Sequence, residues 1–301
     1  MSLATKYRPK FLKDVLGNDD VIKSLRAMME REEIPHTLLF TGPSGCGKTT
    51  LARIVVSRLK CSEFDFTENN AADFRGIDSV RDILRQMSLS PMNGSCRIWL
   101  LDEVHQLTKD GQHALLKALE DTPKHVYFLL ATTDPEKLLP TIKTRCVTFD
   151  VKPLSDTHMR ELLNRVIHSE GDLEIPQETL DQIIQDSLGS ARMALSILDK
   201  VINMDAGDML AAAKQSAAQQ NESIDLCRAL IGKRPWKEVS RIIQGITQEP
   251  ESVRRAVLGY ASAVLLKSGR PQSYVVLDCF RQDFFTTGKA GLIMASYAAV
   301  S

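Results

Sequence analysis

The sequence predicts an α/β domain built on a parallel sheet, followed by two all-helical regions. Residues 1–152 alternate apolar strand patterns with helical patterns. The stretch "TGPSGCGKTT" at residues 41–50 stands between one such strand and one such helix. From Ser155 onward only helical spacing is found. We therefore predict a nucleotide-binding domain at residues 1–152, a small helical domain at 153–205 and a helical domain at 206–301.

The glycine-rich stretch has the spacing G-x-x-x-x-G-K-T of a phosphate-binding loop. Glycines allow tight bending and let successive backbone N–H groups point inward at an anion. The helix that follows adds its N-terminus to this anion site. Lys48 is expected to reach the β- and γ-phosphates, and Thr49 to hold Mg²⁺. The predicted ATP-binding residues here are Gly42, Pro43, Ser44, Gly45, Cys46, Gly47, Lys48, Thr49 and Thr50.

The remaining strands of the first domain are short continuous apolar runs, which is typical of a parallel sheet covered on both faces. Strands are predicted at "HTLLFT", "FDFTEN", "RIWLLD", "HVYFLLATT" and "VTFDV", with helices at "KTTLARIVVSRL", "IDSVRDILRQM" and "KDGQHALLKALED". In the second half, helices are predicted from Ser155, from Pro176 and from Ser190, with a serine N-cap at the first. A linker is expected at 205–208, before further helices that include "AAAKQSAAQQ", "RPWKEVSRIIQGIT" and "ESVRRAVLGYASAVLLKSG".

The composition indicates a globular protein without a membrane span. The chain has 301 residues, of which 43% are hydrophobic and 25% charged, and its formal net charge is zero. Any contact with nucleic acid must therefore use locally placed cations. The six cysteines are scattered without a C-x-x-C pair, which predicts free thiols. Because no apolar signal core begins the sequence, we expect a cytoplasmic protein, in the host cytoplasm if it is phage-encoded.

Two adjacent acids, Asp102 and Glu103, end the apolar strand "RIWLLD". Charge at the end of a buried strand is costly without a partner, and a bound Mg²⁺ would be a partner for both acids. We predict that Asp102 orients the metal shell and that Glu103 is the general base for the attacking water. The alternative is that both acids merely cap the loop. His105 is left without a role, since histidines beside acids are usually structural.

Three further residues stay ambiguous on local grounds. Thr133, in "ATTDPEKL", either hydrogen-bonds the attacking water or γ-phosphate or is an N-cap before the Pro135 turn. Arg145 has no obvious acidic partner nearby in the sequence, and an ordinary surface arginine is its default interpretation. The same default applies to Arg192, which begins an apolar-spaced helix.

An ordered series of blocks resembles the clamp-loader ATPases of the AAA+ class. The blocks are "KYRPKFLKDVLGNDDV", "PHTLLFTGPSGCGKTT", "NNAADFRGIDSVRDIL", "LLDEVHQLTKDGQHALLKALED", "LLATTDPEKLLPTIKTRC" and "GSARMALSILD". "NNAADFRGID" is similar to the small subunits of eukaryotic, archaeal and phage loaders, and "DEVH" to the bacterial gamma/tau subunit. The resemblance implies a P-loop AAA+ domain, a helical lid and a helical collar.

The resemblance also assigns roles that spacing alone does not. It makes Arg145 the finger that acts in trans on ATP bound by a neighbouring subunit, with Thr144 replacing the usual serine. Thr133 becomes a sensor of the γ-phosphate and Arg192 the lid's sensor arginine. The adenine side of the site is assigned to Tyr7, Arg8, Pro9 and Val15. Gln112 lies where the family couples its DNA-facing helix to the catalytic acids.

The resemblance implies further partners. A loader subunit works in a ring, here a probable pentamer, with a sliding clamp and primer–template DNA. Arg75, Arg81 and Lys109 fall on the segments that follow the DNA backbone in the family, with Arg81 the strongest candidate; the alternative for each is a solvated helix face. Contacts to phosphates would be salt-sensitive and without base preference.

Two other functions compete with clamp loading. One is another AAA+ machine, such as a Holliday-junction branch-migration motor or an unfoldase. The second is a non-catalytic scaffold subunit of a loader. The intact residues Lys48, Thr49, Asp102, Glu103 and Arg145 argue against the scaffold.

Overall fold

The structure is a computed structural model that describes residues 1–171, 173–220 and 222–301. Within it the chain divides into two compact units. Residues Thr5–His158 form one unit, called the sheet unit below. Met1–Ala4 together with Met159–Ser301 form the other, called the helical unit.

The sheet unit contains five strands and the helices that pack on them. The boundary between the units falls within two helices, after Ala4 in Leu3–Lys6 and after His158 in Asp156–Ser169. In chain order the elements are α1 (Leu3–Lys6), α2 (Asp19–Glu30), β1 (Thr37–Thr41), α3 (Lys48–Leu59), β2 (Phe66–Asn70), α4 (Ile77–Met87), β3 (Arg97–Asp102), α5 (Lys109–Glu120), β4 (Val126–Thr132), α6 (Pro140–Thr144) and β5 (Val147–Asp150).

All strand pairs are parallel, in the order β2-β3-β4-β1-β5. The apolar runs explain this arrangement, because β1, β3 and β4 are buried along almost their whole length and need cover on both faces. The strand order reverses between β4 and β1, so their carboxyl ends open a crevice there. The phosphate-binding loop follows the carboxyl end of β1. Asp102 and Glu103 lie at the carboxyl end of β3, the strand beside β4.

Two hydrophobic clusters pack the faces of the sheet. On one, Trp99 stacks on Phe128 with ring centroids 5.5 Å apart, beneath α4 and α5. On the other, Phe40 stacks on Phe149 at 5.6 Å, and the buried residues of α2 and α3 cover them. Helix α4 shows why the sequence folds this way, since Val80, Ile83 and Met87 lie at helical spacing and are all buried. The predicted fold class, an α/β AAA+ sheet followed by helices, is confirmed.

The helical unit contains the remaining elements. They are α7 (Asp156–Ser169), α8 (Gln177–Ser187), α9 (Ala191–Val201), α10 (Ala206–Gln220), α11 (Glu222–Ile231), α12 (Trp236–Gly245), α13 (Pro250–Ser268), α14 (Pro271–Cys279) and α15 (Gly288–Val300). The predicted cap of α7 is present, because Ser155 accepts from the His158 N–H at 3.2 Å. Ser190 caps α9 in the same way, accepting from the Met193 N–H at 3.3 Å. A hydrophobic cluster joins α11–α15.

Some predictions of local structure were incomplete or wrong. The linker expected at 205–208 is helical from Ala206, and α10 packs against α8 and α9. Helices α2, α11, α14 and α15 were not predicted. Helix α15 is apolar on several sides, so no one-sided pattern marks it. The division of the helical unit into a lid and a collar stays a prediction. Across the described residues, no helix has the length and apolar character of a membrane span.

Candidate nucleotide-binding site

The loop between β1 and α3 has the geometry of an anion cradle. Gly42, Gly45 and Gly47 have φ angles of 135°, 75° and 106°, which residues other than glycine rarely adopt. A Cβ placed on Gly42 would lie 2.1 Å from the carbonyl oxygen of Val151. The backbone therefore depends on glycine at this position, which is the physical reason for the spacing seen in the sequence. Pro43, Ser44 and Cys46 complete the loop, and Thr50 lies in the first turn of α3.

Lys48 begins α3 and is buried, with 5% of its surface exposed. Its ammonium group donates to the carbonyl oxygens of Gly42 and Pro43, at 2.8 and 2.9 Å. The structure thus holds the cation against the loop whose N–H groups are suited to phosphate oxygens. A triphosphate fits this set of donors, because the loop, the N-terminus of α3 and the ammonium all favour negative charge.

Thr49 and Asp102 come together although they are far apart in the sequence. The Thr49 hydroxyl donates to Oδ2 of Asp102 at 2.8 Å, and Oδ1 of Asp102 accepts from the Glu103 N–H at 2.9 Å. A hydroxyl oxygen and a carboxylate oxygen side by side fit the ligand preference of Mg²⁺. The two predicted metal residues therefore form one contact, at the junction of α3 and β3.

Glu103 leaves the end of β3 in the left-handed conformation, with φ of 50°. Its Oε2 accepts from the Thr133 hydroxyl at 2.9 Å and from the Thr133 N–H at 3.2 Å. Left-handed backbone at a non-glycine residue is uncommon and is found frequently where a side chain must be aimed. The structure thus joins the predicted general base to the predicted sensor residue after β4. This contact also replaces the capping alternative for Thr133, because its hydroxyl hydrogen-bonds the acid.

Two buried polar residues complete this end of the sheet. His105 contacts Glu103, Thr132 and Gln106. Gln112, on α5, donates to the carbonyl oxygen of Lys137 at 3.3 Å and accepts from the Leu139 N–H at 2.9 Å. A buried glutamine with both ends bonded to the loop after β4 ties α5 to that loop. The position of Gln112 was noted from the resemblance, whereas His105 carried no local signal beyond its neighbouring acids.

The segment assigned to the adenine side lies in the sheet unit as well. Val15 packs on the hydrophobic cluster that contains Cys46 of the phosphate-binding loop. The ammonium group of Lys6 lies 5.4 Å from the centroid of the Tyr7 ring, and the Arg8 N–H donates to the Thr5 carbonyl oxygen. This packing connects Val15 to the loop, and the roles of Tyr7, Arg8 and Pro9 stay predictions.

Cys46 is an inert part of the loop. Burial raises the pKa of its thiol to about 11, against the opposing effect of the nearby Lys48 charge. The thiol therefore stays protonated at neutral pH and is no nucleophile. All six cysteines are free thiols in the structure.

Arg145 pairs with an acidic residue that is distant in the sequence. Its guanidinium donates to the Glu120 carboxylate at the end of α5 and to the Thr141 carbonyl oxygen at 3.2 Å. The two residues of the ion pair are 25 positions apart and meet through the packing of α5 against α6. Both side chains remain partly exposed. The role of Arg145 as a finger acting in trans stays a prediction from the resemblance.

Arg192 is an exposed residue in the first turn of α9, within the helical unit. The nucleotide-binding loop belongs to the sheet unit. The role of Arg192 as a sensor of bound ATP therefore stays a prediction from the resemblance.

The three predicted DNA-binding cations are all exposed and lie near the starts of α4 and α5. Arg75 precedes α4 and donates to the Ala72 carbonyl oxygen at 2.9 Å, and Lys109 is the first residue of α5. Arg81 pairs with Asp78 at 3.0 Å on the surface of α4. The two helix starts touch, because the Thr108 N–H donates to the Arg75 carbonyl oxygen at 3.0 Å. Two helix N-termini and three cations thus lie in the same region, beside the exposed acids Asp73, Asp78 and Asp110.

Comparison with known proteins supports the resemblance. A family model described as "DNA polymerase III, delta subunit" matches residues 64–155. The gamma/tau subunit of DNA polymerase III from Mycobacterium tuberculosis is 33% identical over 225 residues, covering 67% of this chain and 39% of that protein. The tau subunit from Escherichia coli is 32% identical over 253 residues, covering 76% and 39%. The chain thus spans about two fifths of the length of these relatives.

Solved structures with the same fold include the RuvB Holliday junction branch migration motor of Thermotoga maritima. That structure has a TM-score of 0.60 and 22% sequence identity, covering 87% of this chain and 91% of the other. A likeness at this identity establishes the fold only. Together with the site geometry and the sequence relatives, it leads to one conclusion. The chain is a homologue of the DNA polymerase III gamma/tau subunits and has the fold of the AAA+ ATPases.

Proposed function

We propose that this protein is an ATPase subunit of a clamp loader, which uses ATP binding and hydrolysis to open a sliding clamp and place it on primer–template DNA. The observation that carries the proposal is the convergence of Lys48, Thr49, Asp102, Glu103 and Thr133 at one end of the sheet. The sequence relatives support a role in DNA replication, because they are subunits of a DNA polymerase.

Each residue then has a task in phosphoryl transfer. The loop N–H groups and Lys48 would bind the phosphates, and Thr49 and Asp102 would hold Mg²⁺, which would supply positive charge to neutralise the phosphates. Glu103 takes a proton from the attacking water. Thr133, bonded to the same carboxylate, links the water and the γ-phosphate to the end of β4.

Arg145 completes the site of a neighbouring subunit. A guanidinium placed at the γ-phosphate stabilises the charge that develops there, which in related systems accelerates hydrolysis by about a thousandfold or more. The pair with Glu120 holds this side chain on the surface of α6, available for such a contact. Hydrolysis then depends on ring assembly. The role of Arg192 as a sensor of bound ATP is part of this proposal.

DNA lies along the starts of α4 and α5. Helix N-termini and the cations Arg75, Arg81 and Lys109 suit a phosphate backbone and carry no base readout. We assign the clamp contact to residues 78–92, which run from α4 into the stretch that follows it. Leu89 and Met92 are exposed apolar residues of this segment. Phe64 is also exposed, and it precedes the buried Asp65, whose carboxylate accepts from the Met92 N–H at 2.8 Å.

The decisive experiment measures ATP turnover of the assembled complex with and without the clamp and primed DNA. We expect turnover to rise when both are added. No rise would contradict clamp loading. The mass of the complex formed with a non-hydrolysable ATP analogue provides a second result, for which we expect a pentamer.

A branch-migration motor is the alternative, because structures of such a motor share the fold. A hexamer that moves a Holliday junction without a clamp would favour it. A scaffold subunit is the third possibility, and the convergence of the catalytic residues argues against it. A protein with the proposed function is expected to work in the cytoplasm.

A further inference from the structure

His105 is a buried residue beside the proposed general base that neither the sequence pattern nor the proposed chemistry uses. Its side chain is 4% exposed, in the turn that follows Glu103. A buried imidazole must satisfy two ring nitrogens, and each has polar neighbours here. What those neighbours are determines which nitrogen carries the proton.

The Nδ1 atom faces the catalytic end of the sheet. It lies 2.9 Å from the Thr132 hydroxyl oxygen and 3.3 Å from Oε2 of Glu103. An ionised carboxylate oxygen only accepts hydrogen bonds, so a nitrogen in contact with it must donate. The Thr132 oxygen already accepts from the Asp134 N–H at 3.1 Å. The carboxylate therefore favours a proton on Nδ1, and the second lone pair of the Thr132 hydroxyl oxygen can accept from the same N–H.

The Nε2 atom has a different set of neighbours. The Gln106 amide nitrogen lies 2.9 Å away and donates to it, which leaves the neutral ring protonated on Nδ1. Oδ2 of Asp134 lies 3.5 Å from Nε2, beyond the usual hydrogen-bond distance. The two sides of the ring thus agree on one tautomer.

We infer that His105 is a positioning residue that holds Glu103 in place for the attack of water, by donating from Nδ1. This inference rests on the proposed ATPase function. Oε2 of Glu103 accepts from the hydroxyl and the N–H of Thr133, and Nδ1 of His105 is its third polar neighbour, at 3.3 Å. Oε2 is held by these bonds, while Oε1 stays outside them as the oxygen that accepts the proton from water. Because His105 also bonds Thr132, it joins the turn after β3 to the end of β4.

A matched pair of variants separates this role from mere packing. An asparagine amide lies close to the position of Nδ1, and a glutamine amide reaches the position of Nε2. His105→Asn therefore keeps the donor toward Glu103, and His105→Gln loses it. We expect H105Q to lower kcat for ATP about tenfold or more while its ATP affinity stays within about twofold, because misplaced catalytic groups cost rate rather than binding. H105N is expected to keep most of the wild-type kcat.

The control is His113→Gln, the same substitution at an exposed position on α5, which should leave kcat unchanged. Melting temperatures of all variants show whether the fold is kept. A purely structural role predicts that kcat follows melting temperature and that asparagine is no better than glutamine. Equal kcat values for H105N and H105Q would overturn the inference.

A spectroscopic measurement tests the hydrogen bond without any turnover. Long-range proton–nitrogen NMR spectra of the full chain report the protonation of each histidine nitrogen, with His105 assigned by its absence in H105Q. We expect a proton on Nδ1 and a shift of that signal in Glu103→Gln. A bare Nδ1 contradicts the inference. Absence of ATP turnover in the wild-type complex would instead contradict the proposed function, and the NMR result would still decide the hydrogen bond.

Discussion

Glu103 shows how one side chain is prepared for catalysis. The left-handed backbone turns it away from the line of β3, and donors from Thr133 hold one carboxylate oxygen. The carboxylate is partly exposed, so water can approach it. Removal of the charge should leave the fold and the phosphate-binding loop intact, since these hydrogen bonds are at the edge of the sheet.

We expect Glu103→Gln to abolish turnover while ATP binding is kept. Glutamine preserves the shape but cannot take a proton, and loss of a general base costs about a hundredfold to ten-thousandfold in rate. Turnover and the binding of a fluorescent ATP analogue measure the two effects. Glu178→Gln, at an exposed position in the helical unit, is the control. An unchanged rate in Glu103→Gln would remove this residue from its assigned role.

Asp65 and Arg97 form a buried ion pair that the sequence did not suggest. The Asp65 side chain is fully buried and the Arg97 side chain nearly so, with 3.1 Å between their charged atoms. Burial by itself raises the pKa of Asp65, but the N–H groups of Met92 and Asn93 and the guanidinium outweigh it, so the pKa lies below the usual value. The pair thus ties β2 and β3 to the segment assigned to the clamp.

The lowered pKa has a definite consequence for stability. Because the folded pKa is depressed, the stabilisation is present above the ordinary carboxyl pKa of about 4 and is lost as pH falls through the lower folded value. Asp65→Asn leaves Arg97 buried without its counter-charge. We expect a loss of about 3 kcal/mol in the free energy of unfolding at pH 7. The difference from wild type should shrink below about pH 4.

Urea unfolding of the wild-type protein, Asp65→Asn and Asp73→Asn at pH 7 and pH 3 measures this. Asp73 is exposed, so its substitution should change little at either pH. A difference between Asp65→Asn and wild type that is equally large at both pH values would show that the charge of Asp65 is irrelevant.

At the scale of elements, the cradle depends on the loop that joins β1 to α3. The loop passes so close to the backbone after β5 that a methyl group on Gly42 overlaps the Val151 carbonyl oxygen. Neither side can retreat, since the Val151 N–H donates to the Thr41 carbonyl oxygen at 2.8 Å. The strand, the loop and the segment after β5 thus form one rigid support.

We expect Gly42→Ala to abolish ATP binding. The overlap forces the loop to shift, and the positive φ angle adds strain. Binding of a fluorescent ATP analogue and thermal unfolding measure the two effects. Gly245→Ala is the matched control, because a Cβ there meets open space at the end of α12. Normal ATP affinity in Gly42→Ala would show that the loop tolerates a side chain.

Helices α4 and α5 start side by side, and the predicted DNA contacts lie near these two helix starts. We expect Arg81→Ala to weaken binding of primed DNA by the assembled complex and to reduce the salt slope of binding by about one. The effect should be the same for every DNA sequence, because phosphate contacts carry no base readout. Lys124→Ala is the control, at an exposed position beyond the other end of α5. Equal effects of the two substitutions would reject the assignment of Arg81.

At the scale of the whole molecule, the proposed site needs two subunits, which are either two copies of this chain or this chain and a different loader subunit. In the proposed arrangement, the loop and Glu103 would bind and cleave ATP on one subunit, and Arg145 of the next subunit would contact that ATP. The Glu120 contact holds the arginine on its own subunit until a neighbour's triphosphate competes for it. An exposed ion pair of this kind is weak, so the exchange is easy.

Mixing two inactive variants tests the composite site. Arg145→Ala keeps the loop but lacks the finger, and Lys48→Ala keeps the finger but lacks the loop's cation. Each alone should lose about a thousandfold or more in turnover. We expect their mixture, assembled with the partner subunits, to recover part of the rate, because some interfaces combine an intact loop with an intact arginine. No recovery, or full activity of Arg145→Ala, would contradict the arrangement.

The sequence by itself determined the sheet, the phosphate-binding loop and the acids, because each follows from a local pattern. Apolar runs define β1, β3 and β4, and the glycine spacing follows from backbone angles within a few residues. The apolar pattern of the next strand also predicted correctly that Thr133 lies at the end of β4. Local patterns failed for α15, which is apolar on several sides, and for the linker at 205–208.

Only the tertiary structure decided which distant residues meet. The contacts of Thr49 with Asp102, Glu103 with Thr133, and Arg145 with Glu120 span 53, 30 and 25 positions. Such contacts arise because parallel strands bring their carboxyl ends to one edge, where loops from separate parts of the chain converge. The same convergence buries His105 between two of these loops. Its neighbours, and so its proton, depend on packing that no local pattern records.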